Sequence, residues 1–268
     1  MKRWCWPIVP FAYVGFLLVP LYWLINLSFK PETEILQHLT FWPSVPTLEN
    51  FNIIFSARDW SMGYVHACIY VVMNMIISVG VALPAAYAFS RAEFPLKKPL
   101  FFSFLLFRLI APVILVVPFT EIFYDIGLFD THLGVALAHC YFNLPVAVWI
   151  LEGAISAVPR EMDESAFVDG HSLFSFFYRI LVPTIAPGIA VAAFCCFMFS
   201  WVEYVLSGAL TAVAAKPISG LMSRAGDVAG VEYGLLAAVS VLSFIPGLLC
   251  ILAIRRFLVQ GFSFSHGT

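Results

Sequence analysis

Charge is what this sequence is short of. Of 268 residues only 11% are Asp, Glu, Lys or Arg, against 62% hydrophobic residues and a mean hydropathy of +0.93. A water-facing domain averages about 25% charged residues, because its surface must be solvated. The formal net charge of -2 leaves no basic footprint for nucleic acid phosphates, so nucleic acid is excluded as a partner. The six cysteines, Cys5, Cys68, Cys140, Cys195, Cys196 and Cys250, lie in or beside apolar runs without a CxxC spacing, and read as buried free thiols. The six histidines are scattered with no HxxxH or HExxH pair, so no metal site is expected. No GxxxxGK[ST] phosphate loop occurs, which removes ATP hydrolysis from this chain, and no nucleophile–base pattern suggests an enzyme.

What is present is apolar length. A membrane-crossing helix needs about 20 apolar residues at 1.5 Å rise each. Six such runs are predicted: Ile8 to Phe29, Tyr64 to Phe89, Leu100 to Phe119, His132 to Ile155, Pro183 to Leu206 and Tyr233 to Ile254. The first is long and lacks a small-x-small cleavage site, so it reads as a retained helix and not as a signal peptide. A polar loop at 30–60, with Pro31, Pro43 and Pro46, is expected to be partly ordered. The Gly- and Ala-rich segment from Ser207 to Glu232 reads as a re-entrant turn or a short helix. The whole chain, residues 1–268, is expected to be one all-α, polytopic membrane domain.

Six spans place both termini on one side. That side holds Lys2, Arg3, Arg91, Lys97, Lys98, Arg160, Arg179, Arg255 and Arg256, against Lys30, Arg58, Lys216 and Arg224 opposite. The imbalance follows the positive-inside rule, so both ends and the break at 156–182 are expected to be cytoplasmic.

That break reads Val158-Pro-Arg-Glu-Met-Asp-Glu-Ser-Ala-Phe-Val-Asp-Gly-His-Ser172. Pro159 suits a helix start, and Glu161, Asp163 and Glu164 favour the positive end of the dipole. Gly170 suits a left-handed exit and Ser172 a second N-cap. Two short surface helices are therefore predicted. Anionic lipid headgroups would repel the acidic first one; a groove on a partner protein suits it better.

The run Glu164-Ser165-Ala166, then Gly170, then Ile180-Leu181-Val182-Pro183 resembles the EAA signature of ABC importer permeases: Glu-Ala-Ala, three residues, Gly, nine residues, Ile-x-Leu-Pro. Ser165 and Val182 depart from it by small changes. Ser28-Phe-Lys-Pro31, Pro46-Thr-Leu-Glu-Asn-Phe51, Ala85-Ala-Tyr-Ala-Phe-Ser-Arg91, Gly127-Leu-Phe-Asp-Thr131, Leu144-Pro-Val-Ala-Val-Trp149 and Arg256-Phe-Leu-Val-Gln-Gly261 are similar to the carbohydrate-uptake branch, the maltose and glycerol-phosphate permease type. This resemblance implies the type I importer permease fold in a bacterial inner membrane. It implies a coupling helix carrying Glu164, Ser165, Ala166, Asp169 and Gly170 that docks on an ATPase subunit. The implied partners are a second, different permease, two ATPase subunits that bind ATP and Mg, and a periplasmic solute-binding protein. The implied cargo is a sugar, a polyol or a related small polar solute.

Two ionisable residues interrupt the apolar runs. Arg108 falls about nine residues into the third predicted span, where a charge costs about 2.5–3.5 kcal/mol to insert. Two readings stay open for it: a donor to substrate, or an ion pair with Glu203 or with a partner carboxylate. Glu203 lies in Trp201-Val-Glu-Tyr204, which resembles the Trp-Asn-Glu-Phe stretch of the family, with Val202 losing an amide. Trp201, Glu203 and Tyr204 are candidates for the substrate path; packing of the bundle by the aromatics is the alternative. A different class of function, a stand-alone secondary transporter or channel, would use Arg108 and Glu203 as coupling charges instead.

Overall fold

The computed structural model describes residues 8–227 and 232–263. Lys2-Arg3, Cys5 and residues 228–231 lie outside the described residues, as do the side chains of Arg224 and Arg256. Among the described residues there are helices and no strands. The helices are α1 (Ile8–Ser28), α2 (Glu32–Gln37), α3 (Glu49–Ser56), α4 (Arg58–Arg91), α5 (Lys97–Phe107), α6 (Pro112–Asp125) and α7 (His132–Ser156). After them come α8 (Arg160–Val168), α9 (Leu173–Thr184, with a π turn at Phe177–Leu181), α10 (Ala186–Val202), α11 (Val205–Ala209), α12 (Ile218–Asp227) and α13 (Tyr233–Ser263).

By length and composition α1, α4, α7 and α13 can each cross a membrane, and the bent pairs α5 with α6 and α9 with α10 raise the number to six. The 30–60 loop carries α2 and α3, and the segment after Ser207 carries α12 beyond the end of α11.

Two of the predicted spans are not the straight helices the apolar runs suggest. The third turns by 90° between α5 and α6. Pro112 has no N–H to give and pushes the preceding Ala111 into extended backbone (φ -64°, ψ 138°), so the helix stops and restarts with Pro112 in its first turn. Arg108 therefore caps the end of α5 at the bend instead of sitting inside a continuous helix. The fifth turns by 81° at Ile185, where Pro187 opens α10, and ends at Val202 with Glu203 extended (φ -75°, ψ 122°). Glu203 thus lies past the helix that was expected to contain it.

The chain folds into two compact units. In the first, Met1–Met62 with Leu221–Leu248, polar side chains tie loops to helix ends. Asn50 donates from Nδ2 to the carbonyls of Ser28 and Lys30 at 3.0 Å each. The same amide lies against Gly234, where a Cβ would come within 2.7 Å of Nδ2, so a larger residue there would push the Asn50 amide out of these bonds. The Glu32 carboxylate accepts from the amides of Tyr233 (3.2 Å) and Gly234 (3.1 Å), capping the start of α13 where the dipole favours an anion. Lys30 is fully buried and donates to the Thr40 carbonyl.

In the second unit, Gly63–Gly220 with Leu249–Thr268, alanines let helices approach closely. Ala82, Ala86, Ala147, Leu151, Ile155, Ala192 and Cys196 form a core closed at one end by Phe89, Phe176 and Leu181. A Cβ on Gly188 would meet that of Ala154 at 2.4 Å, so α7 and α10 touch there backbone to side chain. Deeper in, Asn143 donates to Asn74 Oδ1 (2.6 Å) and Ser200 Oγ (3.0 Å), and Ser200 donates to Asn74 Oδ1 (2.9 Å). Asn74 in turn donates to the Ala136 carbonyl at 2.9 Å. This knot joins α4, α7 and α10, with each interhelical bond worth roughly 0.6 kcal/mol in a membrane.

Candidate functional site

Two places in the second unit bring functional groups together. The first is the surface loop. Pro159 sits just ahead of α8 in extended backbone, and Glu161 and Asp163 occupy the first turn. Asp163 does not face outward. It is buried against the end of α4, where it accepts from Arg91 Nε (2.8 Å) and Nη2 (3.2 Å) and from Tyr87 Oη (3.1 Å). Arg91 also donates to the Val158 carbonyl at 2.9 Å. One carboxylate and one guanidinium therefore clamp α8 to the long helix.

Buried Ala166 completes the inner side of α8, and Glu164, Ser165, Phe167, Val168 and Asp169 are left exposed, Val168 by 87%. Gly170 leaves the helix at φ +82°, a conformation glycine adopts without strain. Ser172 then caps α9 by accepting from the Ser175 amide at 3.3 Å. Leu173, Phe174 and Tyr178 add to the exposed apolar surface there.

The second place is a cavity of about 300 Å³ at the bend between α5 and α6. Its walls are apolar, from Leu109, Ile110, Pro112, Phe142, Phe199 and Val202, and its polar members include Arg108, His139, Asn143, Ser200 and Glu203. An ion pair between Arg108 and Glu203, one of the readings open for them, does not form within this chain. Glu203 instead accepts from His139 Nε2 at 3.0 Å and from the amides of Val205 (2.8 Å), Leu206 (2.9 Å) and Ser207 (3.2 Å). It acts as the cap of α11, which is why it lies outside the helix. The Arg108 guanidinium lies 3.8 Å from the centre of the Phe199 ring. Arg108 and Glu203 both line the cavity. Trp201 stacks on Phe197, with ring centres 5.9 Å apart, and Tyr204 is exposed. His139 and Asn143, four residues apart on α7, are not among the residues the sequence singles out; two polar side chains on one face of a predicted span were the available signal.

At the other end of α7, Asp130 holds the 212–215 segment. Its carboxylate accepts from the amides of Ala212, Val213, Ala214 and Ala215 at 2.9–3.3 Å. Partial burial pushes this carboxyl up, but the four amide donors together outweigh it and hold it below the ordinary aspartate value.

Residues 62–264 match the family described as binding-protein-dependent transport system inner membrane component. The trehalose transport system permease protein SugB of Mycobacterium tuberculosis is 30% identical over 96% of this chain and 94% of that protein. The diacetylchitobiose uptake system permease protein DasC of Streptomyces coelicolor is 27% identical, again over 96% and 94%. Among solved structures, a chain of a bacterial ABC transporter involved in the import of the acidic polysaccharide alginate shares the fold. Its TM-score is 0.78 at 18% identity, covering 96% of this chain and 99% of that one.

Proposed function

The chain belongs to the family of binding-protein-dependent transport inner membrane components, and from that premise we propose that it carries a sugar, polyol or related small polar solute through the membrane while ATP is hydrolysed on partner subunits. It is a permease, not an enzyme. The sugar transporters among its relatives support the cargo class, and the family match favours this reading over a stand-alone secondary transporter.

The observation that carries the reading is the construction of α8. Its inner side is fixed by Asp163 and Arg91, so a push on the helix reaches α4 directly. Its outer side offers Glu164, Ser165, Phe167 and Val168, an acidic and apolar surface suited to a groove on another protein. In this reading Glu164, Ser165, Ala166, Asp169 and Gly170 form the coupling helix, which docks on an ATPase subunit at the cytoplasmic face. Arg108 and Glu203 line the solute path, with Trp201 and Tyr204 beside it. A second, different permease closes the path from the other side, two ATPase subunits hold ATP and Mg, and a periplasmic binding protein delivers the solute. In this reading both termini are cytoplasmic, which the distribution of Lys and Arg supports.

The test is a cysteine crosslink. Ser165→Cys, in the assembled importer, should form a nucleotide-sensitive crosslink to the ATPase subunit. A cysteine at exposed Val213, on the opposite face in this topology, should not. Crosslinking from Val213 and none from Ser165 would sink the assignment.

A further inference from the structure

We infer that the cavity at the α5–α6 bend receives an anionic group on the transported solute, a sugar carboxylate, sulfonate or phosphate, and that Arg108 is the residue that holds it. The inference rests on the permease reading and narrows its cargo.

Three ionisable side chains line the cavity, and they are not equivalent. The negative charge of Glu203 is already committed: it accepts from His139 and from three backbone amides, and it cannot turn to Arg108 without uncapping α11. The positive charge of Arg108 is not committed. Among the described residues no carboxylate lies within 4.0 Å of its guanidinium, and no protein acceptor receives a hydrogen bond from it. Its one contact of note is the Phe199 ring at 3.8 Å. A ring face steadies the cation but leaves the five N–H donors unmatched. Those donors form a planar fork that fits a carboxylate, sulfonate or phosphate through two parallel bonds.

Neutral polyols find less here. Asn143 Nδ2 and Ser200, hydrogen-bonding groups on the wall, are spent on each other and on Asn74, and the unpaired Asn143 Oδ1 is buried out of a solute's reach. The cavity therefore presents one free cation, as far as the described residues go, inside apolar walls where a charged hydrogen bond gains strength. The bend supplies the access: Ala111 and Leu109 beside Arg108 are exposed, so the break forced by Pro112 is also the mouth.

The experiment uses a matched pair of probes that differ in one group, D-glucuronate and D-glucose, on the full chain in phosphatidylcholine nanodiscs. Saturation-transfer NMR reads binding at the millimolar affinities a single subunit would have. Glucuronate is expected to bind about tenfold or more tightly than glucose, the gain of one charge-assisted pair. Arg108→Gln should erase that preference, bringing the glucuronate signal down to that of glucose. Arg108→Lys, which keeps the charge without the fork and guards against a folding defect, should retain part of it.

Equal binding of the two sugars, no binding of either, or a preference that survives Arg108→Gln would overturn the inference. Displacement of glucuronate by added phosphatidylglycerol would reassign Arg108 to lipid and overturn it too. Loss of assembly with the partner permease in Arg108→Gln, without any glucuronate preference in the wild type, would make Arg108 an interface residue. ATP-driven uptake by the assembled importer is read separately. If it persists while the glucuronate preference is absent, only this inference fails; if it is absent altogether, the permease reading fails with it.

Discussion

Removing the Asp163 carboxylate is the sharpest perturbation available at the surface loop. Three hydrogen bonds end on it, two from Arg91 and one from Tyr87, at 2.8, 3.2 and 3.1 Å. The Arg91 and Asp163 side chains are only 12% and 8% exposed, so water replaces these bonds poorly. Asp163→Ala leaves the guanidinium with the Val158 carbonyl alone. Deleting one partner of a buried ion pair costs about 3–5 kcal/mol, and with some access to water at the loop we take about 3 kcal/mol. At about 1.4 kcal/mol per factor of ten, α8 should open roughly 100-fold more often. Hydrogen exchange followed by mass spectrometry reads this directly: amides in Arg160–Val168 should exchange roughly 100-fold faster, with α7 and the middle of α4 unchanged. Asp163→Asn should fall between, because an amide oxygen still accepts from Arg91. In the assembled importer the same substitution should leave basal ATPase activity in place and weaken its coupling to solute uptake. Unchanged exchange across α8 would refute the clamp, and unimpaired coupling in a protein with a loosened α8 would refute its role.

Other outcomes follow from the same geometry. Gly170→Pro cannot reach φ +82°, since the ring fixes φ near -65°, so the turn from α8 into α9 should be disrupted at a cost of about 1–3 kcal/mol and ATPase coupling lost with the spans still inserted. Glu203→Ala should unwind α11 and strand His139, at about 1–2 kcal/mol for the lost cap, seen as faster exchange of the Val205 to Ser207 amides. Because the Asp130 carboxyl titrates below its ordinary value when folded, its contribution to holding 212–215 is fully present above pH of about 4 and fades as pH falls through the lowered folded value; protease accessibility of that segment should rise only in strong acid, and Asp130→Asn should show raised accessibility already at neutral pH.

Hydropathy was enough to find the long helices, because a membrane-crossing run is a property of composition. The ends of α1, α7 and the start of α13 fall within a residue or two of the apolar runs. It could not see the bends, since Leu109-Ile110-Ala111-Pro112 and Thr184-Ile185-Ala186-Pro187 are as apolar as what flanks them; the signal was the proline and its effect on the residue before it, not the hydrophobicity. The loop after the fourth span was legible in detail because capping and left-handed exits are local: Gly170 and Ser172 sit as predicted. The role of Asp163 was not, because its partner Arg91 is 72 residues away. The cavity shows the same divide. Arg108 and Glu203 stood out as isolated charges, and of the readings open for them the pair with each other does not form. His139, 64 residues from Glu203, takes the carboxylate, and an amide cap that only a broken helix can offer does the rest.

In the proposed mechanism this chain moves solute only when an ATPase subunit pushes on α8. Uptake into proteoliposomes decides it, with the chain assembled with its partner permease, ATPase subunits and loaded binding protein. Uptake should require ATP and all partners, and Glu164→Lys should abolish it while the complex still inserts. Solute uptake by the purified chain alone, without nucleotide and driven by an ion gradient, would show a secondary transporter instead.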